Sequence, residues 1–427
     1  MKRLIWEELL KWKSSAHRKP LIIRGARQVG KTWLMQEFGR LQYEDVIYLN
    51  CDDEPKASEL FANDYDIARI LLQLQAISHI KPKPGKTLII IDEIQSVSRG
   101  LASLKYFAEK APDYHIMVAG SLLGIAMHEG TSFPVGKVDM LTLYPMNFRE
   151  FLMAMGHDDW AGLITQQKWE LLSVIEYKLQ DLLRQYYYVG GMPEVVEVFI
   201  KNKDFELVRR LQLNLIDAYR NDFSKHAPRE QVPRINMVMK SIPSQLAKDN
   251  KKFIYGVLKP GARAKEYEVA IQWLIDCGIL YKVNCVNDAI APLSFYENLS
   301  SFKLYFLDCG LLAAMAGASS EQMLVGMNVF TSFKGAFTEQ YVLQQLLSHG
   351  ITSIYYWTSG ATAEVDFIIE KNGKVVPVEV KAEGNVKAKS LKLLVDKHPG
   401  MKGVRYSMLP YKDQIWVTNY PLYSAGG

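Results

Sequence analysis

Cysteine is scarce. The 427-residue chain has four, Cys51, Cys277, Cys285 and Cys309, and no two stand at CxxC spacing. A disulfide-built scaffold is therefore excluded, and the four read as reduced thiols of a cytoplasmic protein. Long apolar runs are also missing. None approaches the roughly 20 residues that a bilayer-spanning helix needs, so no membrane partner is expected. The first stretch, MKRLIWEELLKWKSS, lacks a continuous apolar core and a small-residue cleavage site, so a secretory signal is not expected. It reads instead as an amphipathic helix, with Leu4, Ile5, Leu9 and Trp12 on one side. Charge of one sign is hardly in excess: 51 Lys and Arg against 46 Asp and Glu leave +5. Taken over the whole chain, that is too little to argue for nucleic acid. What remains is the composition of an ordinary globular protein, long enough for two or three domains.

One stretch is unusual. Leu21–Thr32, LIIRGARQVGKT, places a short apolar strand before Gly25, Ala26, Arg27, Gln28, Val29, Gly30, Lys31 and Thr32. The spacing GxxxxGK[ST], with strand before and helix after, is the Walker A pattern. Its glycines let successive backbone N–H groups turn inward on a polyphosphate, and the helix N-terminus adds its positive dipole end. Lys31 is expected to reach the β- and γ-phosphates of ATP, and Thr32 to ligate Mg²⁺. The run Thr87–Glu93, TLIIIDE, is the matching second strand, its apolar centre suited to burial on both faces of a parallel sheet. Asp92 then falls at the carboxyl end and is assigned to the Mg²⁺ shell. Glu93 is expected to polarise the attacking water. A further strand, His115–Ala119, leads to Ser121, a candidate sensor of the γ-phosphate or a plain Gly-Ser turn.

Residues 20 to 145 alternate strands (Leu21–Ile23, Val46–Leu49, Leu88–Ile91, Ile116–Ala119, Leu141–Leu143) with helical stretches such as Trp33–Phe38 and Ile67–Ile77. That rhythm predicts a parallel α/β sheet. Met127–Val138, with its glycines and proline, is expected to be a loop beside the nucleotide. The region that follows is mostly helical, broken at Gly190-Gly191-Met192-Pro193-Glu194, a turn and helix start that reads either as a hinge between domains or, the preferred reading, as a plain helix–helix connection. Between Lys225 and Asp288 stand eleven Lys or Arg and six acids, an excess equal to that of the entire chain. Short helices followed by the strand Ile279–Val283 give the order of a winged helix. A basic module of that kind is the footprint of phosphate-backbone binding, and a solvated basic face is the competing reading. The chain thus divides into 1–150, a P-loop domain; 151–325, a helical and winged-helix-like region; and 326–427.

The last part has its own order: helix Thr331–Ser348, strands Ser353–Trp357, Ala363–Glu370 and Lys374–Lys381, helix Val386–Lys397, strand Gly403–Met408. This α-β-β-β-α-β order is that of a restriction-endonuclease-like core, an α+β domain. Asn372-Gly373 is a strong two-residue hairpin signal. It fixes a register in which paired residue numbers sum to 745, so that Asp366 opposes Glu379 and Glu364 opposes Lys381. The face with Val365, Phe367 and Ile369 against Val380, Val378 and Val376 is apolar and expected to be buried. The other gathers Glu364, Asp366, Glu379 and Lys381. Two carboxylates this close are expected to hold a divalent metal, Mg²⁺ or Mn²⁺, or a shared proton, with Lys381 orienting water. Glu339 lies on the stripe of Ala336, Leu343 and Leu347 and joins Asp366, Glu379 and Lys381 as a fourth member, a third candidate metal ligand beside the two carboxylates. The arrangement resembles the PD-(D/E)xK nuclease motif, without the proline-aspartate pair.

Taken together, GARQVGKT (25–32), IIIDEIQ (89–95), AGS (119–121), YPMNFREF (144–151), VGGMPEVV (189–196) and EVDFIIEKNGKVVPVEVK (364–381) resemble prokaryotic AAA-type ATPases that carry a C-terminal domain of unknown function. The resemblance implies an AAA ATPase core, a helical or winged-helix middle and a nuclease-like end. One departure is Gly136-Lys137, where such proteins usually have Gly-Arg, so a finger reaching a neighbouring subunit's ATP would be weaker. The function expected is Mg²⁺-dependent ATP binding and hydrolysis coupled to a DNA-binding and in one version DNA-cleaving module. The alternative is an ATP-dependent signalling switch acting on a protein partner, its nuclease fold inert. A homo-oligomer is compatible with both.

Overall fold

The computed structural model describes residues 1–426 apart from 55, 63, 121–122, 127–132, 249, 325–330, 361–362 and 383–386. Ser121 and residues 127–132 of the expected nucleotide loop therefore lie outside the described residues. The chain divides into two compact units, one of residues 2–144 with 276–278, the other of 145–275 with 279–427.

In the first unit, β1 (Leu21–Arg24), β2 (Asp45–Asn50), β3 (Thr87–Asp92), β4 (His115–Ala119) and β5 (Asp139–Thr142) form one sheet in the order β2-β3-β4-β1-β5, all parallel. Parallel strands need crossovers, and the helices that supply them cover both faces. That is why β3 is buried at all six positions, Thr87 to Asp92. Ile22, Ile47, Ile89, Ile91, Ile116 and Val118 meet Leu60, Phe61, Ile70, Leu74, Leu104 and Phe107 in one core. Because the strands are parallel, the carboxyl ends of β1, β4 and β3 open on one edge of the sheet. The amphipathic helix at the start, Trp6–Ser14, buries Leu9 and Trp12.

The second unit begins with helices. Asn147 and Glu150 cap Phe148–Ala154 reciprocally, and Glu176–Val189, Pro193–Asn202, Phe205–His226, Val232–Leu246 and Ala264–Asp276 follow. Its sheet has eight strands: β6 (Leu280–Val286), β7 (Glu297–Phe306), β8 (Ile354–Thr358), β9 (Glu364–Lys371), β10 (Lys374–Val380), β11 (Gly403–Ser407), β12 (Lys412–Asp413) and β13 (Val417–Pro421), in the order β12-β13-β11-β10-β9-β8-β6-β7. The strand read from sequence as part of a wing is β6. Its hairpin with β7 is not free-standing, because β6 also pairs parallel with β8. β6 is thus paired along both edges, with β7 and β8, and buries Leu280, Val283, Cys285 and Val286.

Helix Thr331–Ser348 is covered on all sides along its middle, and most of its buried polar groups are matched, Gln345 Nε2 being an exception. Gln340 exchanges two bonds with the backbone of Phe306, at 2.8 and 2.6 Å. Gln344 accepts from Cys309 N and donates to Asp308 Oδ2, and Gln345 accepts from Phe148 N. Buried amides without such partners would each cost about 1–3 kcal/mol. Asp308 in turn takes the N–H of Gly191 at 2.6 Å and caps the helix Cys309–Met315 through Leu311 N.

The turn at Gly190-Gly191 is consequently a packing joint. A Cβ on Gly191 would lie 2.0 Å from Met146 O, and Met146 N donates to Gly191 O at 2.7 Å. Gly191→Ala is expected to destabilise the protein by about 1–3 kcal/mol. Gly162→Ala, on a helix with nothing near the added methyl, is expected to be neutral or stabilising by up to about 1 kcal/mol. Equal melting temperatures for the two variants would refute the joint.

Candidate functional site

At the carboxyl end of β1 the chain turns through Gly25 (φ 149°) and Gly30 (φ 94°) into the helix Lys31–Gln42. Gly25 is required twice over: its φ is foreign to other residues, and a Cβ there would sit 2.2 Å from Leu143 O. The helix start has no side-chain cap, so its first N–H groups face the loop's concave side, where an anion is favoured. Ala26, Val29 and Lys31 are buried, Arg27 partly, and Gln28 is exposed with φ 63°. Lys31 Nζ folds back on the loop, donating to Gly25 O at 2.9 Å and Ala26 O at 2.8 Å. Burial pushes its ammonium down to about 8, against the pull of Glu93 and Asp92 in the other direction.

β3 delivers the acids. Thr32 Oγ1 donates to Asp92 Oδ2 at 2.5 Å, so the hydroxyl and the carboxylate named from sequence meet although 60 residues apart. Hydroxyl plus carboxylate beside a phosphate cradle is an oxygen donor set suited to Mg²⁺. Thr32 and Asp92 would hold that ion, which when bound screens phosphate charge. Glu93 turns into the left-handed region (φ 49°, ψ 42°) and accepts from Gln95 Nε2 at 2.6 Å. Two further interactions had no signal in the motif itself. Tyr48 on β2 donates to Asp92 Oδ2 at 3.3 Å. Arg3, buried, donates to Val29 O at 2.9 Å and to Tyr144 O at 2.6 Å, bracing the loop from the N-terminal segment. Lys137 pairs with Glu109 at 3.0 Å.

In the second unit the hairpin register runs as expected from Lys371↔Lys374 to Phe367↔Val378, with Asn372 and Gly373 both at positive φ. Val365, Phe367 and Val378 are fully buried on the apolar face. The polar face is also covered, by helix Thr331–Ser348. Glu339, 3% exposed, approaches the group containing Asp366 and Glu379, and Glu379 is 5% exposed. Past Val378 the side chains depart from simple opposition. Asp366 Oδ2 accepts the N–H of Val380 at 2.7 Å, and Lys381 turns onto Glu379 at 2.5 Å. Glu364 is engaged not by Lys381 but by Lys303 of β7, at 2.5 Å. Burial, then the neighbouring Glu339 and Glu379, hold the Asp366 carboxyl well above the usual range. For Glu339, burial raises and Lys251 and Lys303 lower; the lysines win and it stays below the usual range.

Those two lysines were missed. Lys251 Nζ lies 2.6 Å from Glu339 Oε1, and Lys303 Nζ 3.9 Å from Glu339 Oε2. Lys303 interrupts the apolar run Phe302–Phe306, a signal visible in the sequence; Lys251 stands 88 residues from its partner and gives none. Among the described residues, no three His, Cys, Asp or Glu side chains are placed to hold a metal ion.

Three family models match successive parts of the chain: an AAA domain over residues 17–152, a Domain of unknown function (DUF8612) over 180–322 and a Domain of unknown function (DUF4143) over 334–423. No curated protein matches. Among solved structures, the Walker-type ATPase PABY2304 of Pyrococcus abyssi aligns with 73% of this chain and 95% of its own, at 14% identity and TM-score 0.46. The Thermotoga maritima RuvB Holliday junction branch migration motor aligns with 65% and 88%, at 13% and 0.30. A chain of Drosophila ORC bound to DNA aligns with 76% and 94%, at 15% and 0.26. The N-terminal unit is an AAA-type P-loop ATPase domain, and the protein is an ATPase.

A lysine that titrates near 8 when free must bind a proton more tightly once phosphate lies beside it. ATP binding at pH 8.5–9 is therefore expected to take up protons, and affinity to fall as pH rises through that range. Calorimetry in two buffers of different ionisation enthalpy measures the uptake. Binding at pH 9 with no proton uptake in the wild type would remove Lys31 from the phosphate.

Proposed function

We propose that the protein couples Mg²⁺-dependent ATP hydrolysis to DNA binding. The observation that carries the ATP half is the meeting of Thr32 with Asp92 beside the buried ammonium of Lys31. In this reading the backbone N–H groups of residues 25–31 and the Lys31 ammonium orient the triphosphate. Glu93, fixed by Gln95, accepts a proton from the attacking water. Ser121, which follows Ala119-Gly120 in the sequence, takes the part of γ-phosphate sensor in this reading. Replacing Glu93 by Gln removes the acceptor and keeps the shape. Hydrolysis is expected to slow by roughly two to four orders of magnitude, with ATP affinity retained; an unchanged rate refutes the assignment.

The DNA half rests on the basic excess of residues 225–288, read with its exposure. Lys259, Arg263 and Lys265, at the start of helix Ala264–Asp276, are exposed, Lys259 in a surface pair with Glu266 at 2.9 Å. Exposed pairs of this kind are weak enough to exchange for phosphate. Replacing all three by Ala is expected to weaken binding about equally across DNA sequences. The slope of log affinity against log salt should flatten by about 0.9 for each phosphate that a removed side chain had neutralised. An unchanged slope moves the surface elsewhere or removes it. Assorted DNA forms, with Mg²⁺ or Mn²⁺ and with or without ATP, also report any cleavage by the Asp366, Glu379 and Lys381 group.

A second reading has its own observation. Lys251 and Lys303 neutralise the acid cluster from within, which favours a nuclease-like fold without cleavage and an ATP-controlled switch toward a protein partner. Among the described residues no helix is long and apolar enough to cross a membrane, and in either reading the protein works in the cytoplasm, alone or as a homo-oligomer.

A further inference from the structure

We infer that Gln95 and Gly120 are positioning residues for ATP hydrolysis: the position after β4 carries no side chain, and the Gln95 amide uses that room to aim the Glu93 carboxylate. The inference rests on the reading of Glu93 as the group that accepts a proton from the attacking water. After Asp92 the chain turns at once. Glu93 takes the left-handed region, Ser96 N donates to Glu93 O at 2.9 Å, and Ile94–Ser96 form one short 3₁₀ turn. Ile94, fully buried, pins that turn into the core of the sheet. The turn brings the Gln95 side chain back beside that of Glu93, where Nε2 donates to Oε2 at 2.6 Å. A carboxylate on a flexible stem is directed by such a bond, and proton transfer depends on that direction.

The amide has one workable orientation. An ionised carboxylate only accepts, so Nε2 must face Glu93 and Oε1 must face away. Oε1 is buried and has no hydrogen-bond partner among the described residues. It lies against Gly120. A Cβ there would sit 1.8 Å from Gln95 Oε1 and 2.8 Å from Gln95 Cδ, with Leu123 Cγ at 3.0 Å. β4 runs beside β3 with Val118 opposite Ile91, so the chain reaches Gly120 where β3 gives way to the Glu93 turn. Gly120 is not among the glycines at positive φ, so no left-handed backbone requires glycine at this point; what glycine supplies is room. Two costs therefore meet in one place, an amide oxygen without a donor and a position that excludes a side chain. Methionine at 95 would fill the same space with no orphaned acceptor. What it would not supply is the donor to Glu93, and that donor accounts for both costs.

The test measures single-turnover hydrolysis of Mg²⁺-ATP by the full chain, ATP affinity by calorimetry and folding by thermal denaturation. Gln95→Ala is expected to slow hydrolysis by about 10- to 100-fold, the scale of a misaimed catalytic group, with affinity unchanged. In a Glu93→Gln background the same change is expected to cost nothing further, because Gln95 acts through that carboxylate. Gly120→Ala is expected to slow hydrolysis by itself and to add little in the Gln95→Ala background, where the atom that it meets is gone. Gln95→Ser replaces Gln95→Ala in every arm should the alanine variant not fold. Should Gly120→Ala alone not fold, the double variant is expected to recover folding. A slow Glu93→Gln protein beside a Gln95→Ala protein at the wild-type rate overturns the inference and leaves the reading of Glu93 standing. Glu93→Gln at the wild-type rate overturns that reading and the inference with it. Gly120→Ala that costs the same factor, or the same loss of folding, with Gln95 present and absent overturns the link between the two residues.

Discussion

The ammonium of Lys303, wholly out of solvent, lies between Glu364 and Glu339. Charge this deep is tolerated only when its partner is in place, and removing one member of such a pair typically costs about 3–5 kcal/mol. The second unit is arranged around that requirement. β7 must bring Lys303, helix Thr331–Ser348 must bring Glu339, and the segment after helix Val232–Leu246 must bring Lys251, or an uncompensated charge remains inside. The hairpin contributes its own acids under the same rule. The apolar faces of the sheet set how strongly the elements associate, and the charge cluster sets which faces meet.

The proposed ATP site obeys the same rule in a more open form. Lys31 is buried yet hydrogen-bonded to two carbonyls of its own loop, and Asp92 is buried yet bonded to Thr32 and Tyr48. These are groups held ready in a dry place, where electrostatic interactions with a polyphosphate are strongest. A parallel sheet suits this purpose because all its strands finish on the same edge. Order β2-β3-β4-β1-β5 then sets β3 and β1 on either side of β4, so the acid and the cradle face each other across one strand. In the second unit the sheet is mixed, and its acids come from a strand, a hairpin return and a helix.

Much of this was legible without coordinates, for identifiable reasons. The run LIIIDE predicts a fully buried strand ending in acid, since only a strand covered on both faces tolerates unbroken aliphatics. Asn-Gly fixes the hairpin register, because both residues must take positive φ and few others do so at low cost. Glu339 was visible as an acid on an apolar stripe. The wing is where the structure departs from the sequence pattern: short helices followed by a strand is a pattern of order, and order alone does not say whether that strand stops at a hairpin or joins a larger sheet. The counter-ions were misread. Lys251 was counted with a basic surface, whereas its charge is spent inside the protein.

The sequence by itself determined the local chemistry. It set where strands end in Gly-Lys-Thr or Asp-Glu, which residues turn, and which faces are apolar, because those depend on neighbours two to four positions away. Only the tertiary structure decided what each charge meets. Thr32 finds Asp92 across 60 residues, Lys251 finds Glu339 across 88 and Lys303 finds Glu364 across 61. The physical reason is that an ion pair's energy depends on separation in space and on burial. Neither quantity is carried by spacing along the chain.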